Sequence, residues 1–189
     1  MIKIERNTKE TQIKLELAIG GGESSIETGI GFFDHMLNSL AKHSGIEINL
    51  VCKGDLHVDF HHTVEDVGIV IGEALHKAVF PVGAIERFGE ASIVMDEALV
   101  ESAIDISGRP YLYFDLGRLN GKIGEFDAEL AEEFFRALVY NFKISAHITK
   151  ARGQNLHHIV EGAFKAFAVS LRRALKPSGS GVPSTKGVL

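Results

Sequence analysis

The chain has 189 residues, of which 45% are hydrophobic and 24% charged, values typical of a globular protein with a buried core. Its formal net charge of -5 at pH 7 argues against general binding of nucleic acid, which needs a basic surface. No apolar run approaches the roughly 20 residues of a membrane span, and the N-terminal segment lacks the apolar core of a signal peptide. We therefore expect a cytoplasmic protein that binds neither nucleic acid nor membranes. The single cysteine, Cys52, lies in a segment of alternating apolar residues and is expected to be a buried strand residue.

Four regular elements are predicted in the first half of the chain. Apolar and polar residues alternate over 12–19 and again over 46–52, which is typical of half-buried strands. Apolar residues recur at helical spacing over 31–43 and predict a helix there. A second helical pattern covers about 62–80 and ends at Pro81, because proline cannot continue a helix.

The second half predicts a similar set of elements. Two or three strands are expected within 91–117, broken near the sequence SGRP. A helix is predicted over 127–142, a strand over 143–149 and a long helix over 155–176. The remaining residues, 177–189, are rich in Gly, Pro and Ser and predict a flexible tail.

The order of these elements indicates an internal duplication. A helix, a strand and a second helix follow one another in both halves, and segment 34–40 aligns with 132–138. We therefore predict an α+β fold of two similar halves, about 1–90 and 91–180, with helices packed on one face of mixed β-sheets. No linker separates the halves, so residues 1–189 are expected to form a single domain.

A pattern of two adjacent histidines and a glutamate, His-His-x-x-Glu, occurs at 61–65 and again at 157–161. On a helix the first histidine and the glutamate share one face, whereas the second histidine is turned away by roughly 100°. Imidazole and carboxylate ligands without thiolate suit Mn, Fe or Zn. One motif offers too few ligands, so each metal site would need both halves or two subunits. Solvated residues on a helix surface are the alternative explanation.

Of the histidines outside the two motifs, only some are expected to bind a metal. His35 lies in the helix before the first motif and is the natural extra ligand from that half. Its aligned partner in the second half is Glu133, whose carboxylate can also bind a metal. His57 and His147 fall in predicted strands and His76 in a predicted helix, and structural or surface roles are expected for all three.

Several motifs together make the chain resemble imidazoleglycerol-phosphate dehydratase over almost its whole length. They are TKET (8–11), FFDHML (32–37), GDLHVDFHHTVEDVGI (54–69), RFG (87–89), DEAL (96–99), DISGRPYL (105–112), HHIVEGAFKAFA (157–168) and PSTKGVL (183–189). The resemblance implies a duplicated fold of the ribosomal protein S5 domain 2-like type. It also implies a homo-oligomer of 24 subunits, with dinuclear manganese sites, two Mn²⁺ per active site, at subunit contacts.

The resemblance assigns a set of metal ligands. These would be His35, His61, His62, Glu65, Glu133, His157, His158 and Glu161. The family usually has histidine where this chain has Glu133. Phe60 also departs from the acidic residue that is common before the first histidine pair, which affects the surroundings of the ligands rather than their number.

The resemblance also implies a reaction, the dehydration of D-erythro-imidazole glycerol phosphate to imidazole acetol phosphate in histidine biosynthesis. The substrate's imidazole would be held as a metal-bridged imidazolate and would expel the hydroxyl through a diazafulvene-like intermediate. Candidate acid–base groups are Glu10, Glu161, His43 and Asp96. Candidate substrate-binding residues, mostly for the phosphate, are Glu10, Arg87, Arg109, Lys165, Ser184 and Lys186.

Two other classes of protein are compatible with the histidine motifs. A metal-storage or metal-sensing cage explains the ligands but not the basic residues expected at a phosphate. A dinuclear phosphohydrolase directs its metals at the phosphoryl group and is usually richer in carboxylates. Binding of a phosphate-bearing imidazole would argue against storage, and release of inorganic phosphate would argue for the phosphohydrolase.

Overall fold

The computed structural model describes residues 1–179 and 181–184. The first half contains β1 (Ile2–Asn7), β2 (Thr11–Ile19), β3 (Ser25–Glu27), α1 (Gly31–Ser44), β4 (Ile46–Gly54) and α2 (His61–Val79). The described part of the second half contains β5 (Phe88–Met95), β6 (Ala98–Asp105), β7 (Tyr111–Asp115), β8 (Lys122–Ile123), β9 (Phe126–Asp127), α3 (Leu130–Phe142), β10 (Ser145–Arg152) and α4 (Leu156–Ala174). Residue 180 and residues 185–189 of the predicted tail lie outside this description, so the predicted flexibility of the tail stays a prediction.

Two four-stranded sheets share one topology. The strand order is β1-β2-β4-β3 in the first sheet and β5-β6-β10-β7 in the second. In both sheets the last pair, β4 with β3 and β10 with β7, is parallel and the other pairs are antiparallel. In both halves the first helix precedes and the second helix follows the last strand, in chain order, of the four-stranded sheet. The short β8–β9 hairpin occurs only in the second half of the described chain. The predicted α+β fold with duplicated halves is confirmed.

One face of each sheet packs on helices. Alternate residues of β2 and β6 are buried, as the period of two in their sequences requires. Helix α2 lies against β1 and β2, and α4 lies against β5 and β6. Cys52 is buried in β4 with 5% exposure, which confirms its predicted place in a strand. No helix within residues 1–179 and 181–184 is long and apolar enough to span a bilayer.

The helices pair across the two halves, α1 with α4 and α2 with α3. Helices α2 and α3 approach closely because two glycines of α2 face α3. A Cβ on Gly68 would lie 2.8 Å from the carbonyl oxygen of Phe134, and a Cβ on Gly72 would lie 2.5 Å from the carbonyl oxygen of Leu138. The two helices therefore run in the same direction in a constant register. This register places Glu133 at the level of the second turn of α2, which follows the first histidine motif.

Strand β1 was absent from the sequence prediction. Its six residues are mostly polar, yet they pair with β2 from Ile2 opposite Leu17 to Asn7 opposite Gln12. An edge strand with a single fully buried residue, Ile4, carries too weak an alternation to be recognised from sequence. The predicted strand position of His57 is wrong, because β4 ends at Gly54 and His57 lies in the following turn.

Two predicted boundaries in the second half also shift. The helix expected from residue 127 begins at Leu130, because Phe126 and Asp127 pair with β8 instead. The strand expected from residue 143 begins at Ser145, because Lys143 takes a left-handed conformation with φ 62° and ends α3. Both shifts come from local backbone pairing that apolar periodicity does not record.

Candidate metal centre

Both His-His-x-x-Glu segments form the first turns of helices, α2 and α4. The side-chain oxygen of Asn155 caps α4 by accepting the backbone N–H groups of His157 at 2.9 Å and His158 at 3.4 Å. At the start of α2 the carboxylate of Asp59 accepts the N–H of His61 at 2.8 Å. These bonds fix the backbone of each histidine pair, so the side chains leave the helix in defined directions.

A compact cluster forms around the second motif. Nε2 of His157 lies 2.9 Å from Oε2 of Glu161, and Nε2 of His35 lies 3.6 Å from the same oxygen. The ligand atoms of these three residues all lie within 4.8 Å of one another. His35 comes from α1 in the other half of the chain, so the contact between α1 and α4 assembles the cluster.

Glu161 is held as a carboxylate anion. Its residue is only 6% exposed, and this burial by itself disfavours the charged form. Hydrogen bonds from Lys165, whose Nζ lies 2.7 Å from Oε1, and from His157 outweigh the burial and keep the pKa of Glu161 below its ordinary value. A buried carboxylate beside two imidazoles and no thiolate fits a divalent cation such as Mn²⁺, Fe²⁺ or Zn²⁺.

The first motif is more open. Nε2 of His61 lies 3.8 Å from Oε2 of Glu65, and their side chains are 43% and 47% exposed. Within the part of the chain that the structure describes, no second set of three His, Cys, Asp or Glu ligand atoms lies within 4.8 Å. Glu133 lies with Oε2 at 3.8 Å from Nε of Arg136 on its own helix. Its role as a ligand stays a prediction.

The second histidine of each pair faces a different carboxylate from the first, as helical spacing predicts. Nδ1 of His62 lies 3.0 Å from Oδ2 of Asp55, which follows directly after β4. Nδ1 of His158 lies 2.7 Å from Oε2 of Glu97, which lies in the turn between β5 and β6. The sequence prediction included neither carboxylate. The available signal was an acidic residue at a strand end in each case, which is common in loops.

The hydrogen bonds between these carboxylates and the histidines shift the pKa values of the paired groups. The hydrogen bond to Asp55 raises the pKa of His62, and the bond to Glu97 raises that of His158. The same bond to His158, together with backbone N–H groups of Asn155 and Gln154, lowers the pKa of Glu97 to about 2.

Two predicted acid–base residues lie beside these histidines. Oε1 of Glu10, in the β1–β2 turn, lies 3.8 Å from Nε2 of His62. Oδ2 of Asp96, in the equivalent β5–β6 turn, lies 3.8 Å from Nε2 of His158. The duplication thus places a carboxylate near the outward nitrogen of the second histidine in both halves.

Three hydrogen bonds hold the guanidinium group of Arg87. Its Nε and Nη2 donate to the carboxylate of Asp105 at 2.7 and 3.2 Å, and its Nη1 donates to the carbonyl of Pro183 at 2.9 Å. Its backbone has a φ of 67°, unusual for a residue with a side chain. Arg87 therefore ties the segment before the described end of the chain to β6.

The other predicted residues lie in several places. Arg109 is exposed in the loop before β7. Ser184 is partly buried, and Lys186 lies outside the described residues. His43 is partly buried on α1, and its pKa is lowered first by burial and then by the positive charges of Lys165 and Arg172.

The three histidines for which structural or surface roles were predicted lie outside the compact cluster. His76 on α2 contacts the carbonyl of Phe142 through Nδ1 at 3.2 Å. His147 on β10 lies beside the rings of Tyr111 and Tyr113 on the second sheet. His57 is exposed in its turn.

Comparison with known proteins shows one family throughout. A sequence model described as imidazoleglycerol-phosphate dehydratase matches residues 28–171. Proteins of that name from Nitratiruptor sp. and Nautilia profundicola are 62% and 60% identical, each over the full length of both chains. The crystal structure of the Staphylococcus aureus enzyme matches with a TM-score of 0.84 and 41% identity, over 93% of this chain and 98% of that one. The Pyrococcus furiosus structure matches with a TM-score of 0.85 and 39% identity, over 98% and 100%.

Proposed function

Because this chain belongs to the imidazoleglycerol-phosphate dehydratase family, we propose that it dehydrates D-erythro-imidazole glycerol phosphate to imidazole acetol phosphate in a metal-dependent reaction. The chain is a hydro-lyase of histidine biosynthesis. Family membership favours this activity over metal storage and phosphohydrolysis. The single observation that supports metal dependence is the cluster of His35, His157 and Glu161, whose ligand atoms lie within 4.8 Å of one another.

Two Mn²⁺ per active site are proposed, as the resemblance to the family implies, and a donor set of imidazoles and carboxylates is compatible with Mn²⁺. The proposed ligands are His35, His61, His62, Glu65, Glu133, His157, His158 and Glu161. When bound, the metal ions supply Lewis-acid polarisation of the imidazole ring of the substrate. The register of α2 and α3 supports a ligand role for Glu133, because it brings this residue to the level of the second turn of α2. The other helix pair, α1 and α4, brings His35 close to Glu161 in a similar way.

Dehydration needs one group that protonates the leaving hydroxyl and one that takes the proton from the neighbouring carbon. Glu10 is the main candidate, because its carboxylate is half exposed and only 3.8 Å from Nε2 of His62. Asp96 holds the equivalent place beside His158. Glu161 is proposed to move protons in addition to binding metal. His43, whose pKa is lowered, is neutral at neutral pH and can accept a proton.

The phosphate is proposed to bind to cationic and hydroxyl side chains. They are Arg87, Arg109, Lys165, Ser184 and Lys186. Arginine carries five N–H donors, and Asp105 and Pro183 engage three of those of Arg87. Among the residues that the structure describes, none accepts a hydrogen bond from the other two N–H groups, which lie on its Nη atoms, and the bond to Asp105 orients them for a phosphate oxygen.

The positions of these residues support an active site shared between subunits. Strand β6 separates Asp96 and Glu97, at one of its ends, from Asp105 and the paired Arg87 at the other. An eight-residue strand spans roughly 23 Å. The substrate, with only a three-carbon chain between imidazole and phosphate, is too short to bridge that length. We therefore propose that the metal-binding end of one chain and the Arg87 end of another form each site, in a homo-oligomer of 24 subunits. A cytoplasmic location stays a prediction.

The activity is tested on protein stripped of metal with a chelator and then reloaded with Mn²⁺. Mass spectrometry should detect the ketone product only after reloading. His157→Ala should abolish product, whereas His147→Ala, a histidine outside the cluster, should retain it. Folded, Mn²⁺-loaded protein that forms no ketone would contradict the proposal, and release of inorganic phosphate would support the phosphohydrolase instead.

Sharing of the site is tested by subunit mixing. Arg87→Ala and His158→Ala should each be nearly inactive, since each lacks one end of the site. Dissociating the two variants and reassembling them together should restore part of the activity, because some sites then receive both intact ends. Mixed oligomers with no more activity than the separate variants would contradict a shared site.

A further inference from the structure

Two carboxylates, Asp55 and Glu97, occupy equivalent positions behind the second histidine of each motif. Each accepts a hydrogen bond from Nδ1, at 3.0 Å from His62 and at 2.7 Å from His158. On the other side of each ring, Nε2 faces a second carboxylate only at 3.8 Å, beyond hydrogen-bonding distance. The two nitrogens of each ring therefore have different surroundings, and the difference is the same in both halves.

A neutral imidazole carries its single N–H on one nitrogen and a lone pair on the other. A carboxylate can only accept a hydrogen bond, so it holds the N–H on Nδ1 and leaves the lone pair on Nε2. We propose that Glu97 and Asp55 are positioning residues, which keep His158 and His62 in the tautomer and ring orientation that present Nε2 to a metal ion. This inference rests on the ligand roles proposed above for the two histidines.

Glu97 is fixed more firmly than a surface glutamate. Its Oε1 accepts the backbone N–H groups of Gln154 at 3.1 Å and Asn155 at 2.8 Å, while Oε2 accepts from His158. Asn155 in turn caps the helix that carries His158. The β5–β6 turn and the start of α4 are therefore joined through one carboxylate, whose rotation would break several bonds at once.

Asp55 is fixed less firmly. Its Oδ2 accepts from His62, but its Oδ1 is buried and has no hydrogen-bond partner among the residues that the structure describes. No backbone N–H holds the second oxygen as at Glu97. The two carboxylates thus share a position relative to the histidine and differ in how strictly their orientation is set.

This difference allows a sharp test with amide substitutions. In Glu97→Gln the two backbone N–H groups hold the amide oxygen, so the NH₂ group must face Nδ1 of His158. That arrangement forces Nδ1 to accept and places the ring N–H on Nε2, the nitrogen needed by the metal. In Asp55→Asn no backbone donor fixes the amide, which can turn its oxygen towards His62.

The experiment measures Mn²⁺ affinity and stoichiometry on metal-stripped, assembled protein by calorimetry and by electron paramagnetic resonance of free Mn²⁺. Glu97→Gln should weaken about half of the bound Mn²⁺ by about 10- to 100-fold, because each chain contributes one His158 to one metal of a pair. Asp55→Asn should have a smaller effect. The matched control is Glu101→Gln on β6, where Ser92 donates a hydrogen bond to the carboxylate, and this variant should bind as wild type.

The outcomes separate the inference from the ligand assignment. If His158→Ala loses Mn²⁺ while Glu97→Gln binds like the control, the positioning role is wrong and the ligand role stands. If His158→Ala binds Mn²⁺ like wild type, the ligand role fails and the positioning role with it. Should Glu97→Gln not fold, Asp55→Ala serves in its place: reduced Mn²⁺ affinity at an unchanged melting temperature supports positioning, and unchanged affinity overturns it.

Discussion

Replacing Gly72 by alanine tests how closely the contact between α2 and α3 sets the relative position of the two halves. A Cβ at this position would lie 2.5 Å from the carbonyl oxygen of Leu138 and 3.0 Å from the backbone nitrogen of Phe142. Carbon and oxygen normally approach no closer than about 3.3–3.6 Å. Because backbone atoms cannot rotate away, the helices must separate by roughly 1 Å.

The expected loss of stability follows from two opposing effects. Overpacking of a close contact costs about 1–3 kcal/mol. Alanine is a better helix former than glycine by about 1 kcal/mol, which offsets part of that cost. We therefore expect Gly72→Ala to lower the free energy of unfolding by about 1–2 kcal/mol. The same displacement moves Glu133 on α3 away from Glu65 on α2, so Mn²⁺ affinity should fall as well.

Urea denaturation of the metal-free protein measures the stability change, and calorimetry measures Mn²⁺ affinity. The matched control is Gly31→Ala at the start of α1, where an added Cβ meets nothing within 4 Å. That variant should be at least as stable as wild type. If Gly72→Ala is as stable as Gly31→Ala, the helices tolerate the added methyl group and the proposed tight register is wrong.

Two further predictions concern single side chains. Burial raises the pKa of the Cys52 thiol to about 12 from an ordinary value of 9.0, so alkylation by iodoacetamide at pH 9 should be slow in the native protein and fast after denaturation. Since the unfolded thiol ionises near pH 9, stability should fall as pH rises above 9, and rapid native alkylation would contradict this burial. Glu133→Ala should weaken about half of the bound Mn²⁺ at least tenfold in calorimetry, and Glu133→His should retain it. Glu132→Ala, the neighbouring control, should bind as wild type, and equal affinity of both alanine variants would remove Glu133 from the ligand set.

Much of the fold was predictable because its signals are local. Strand β2 and helix α1 carry clear periods of two and of 3.6 residues, and the repeated order of elements indicated the duplication. The short strands β1 and β3 were not predicted from the sequence, because each buries few apolar side chains and depends on a neighbouring strand for its hydrogen bonds. The turn position of His57 was missed for the same reason, because backbone pairing decides where β4 ends.

The sequence by itself determined the chemistry of the candidate centre. Spacing of four residues on a helix places His157 beside Glu161, and the absence of thiolates narrows the metals that fit. Only the tertiary structure decided that His35 joins this pair, that Glu97 fixes His158, and that Arg87 lies at the far end of β6. These contacts join segments distant in the chain, and their geometry follows from the register in which helices and strands pack, which no local pattern records.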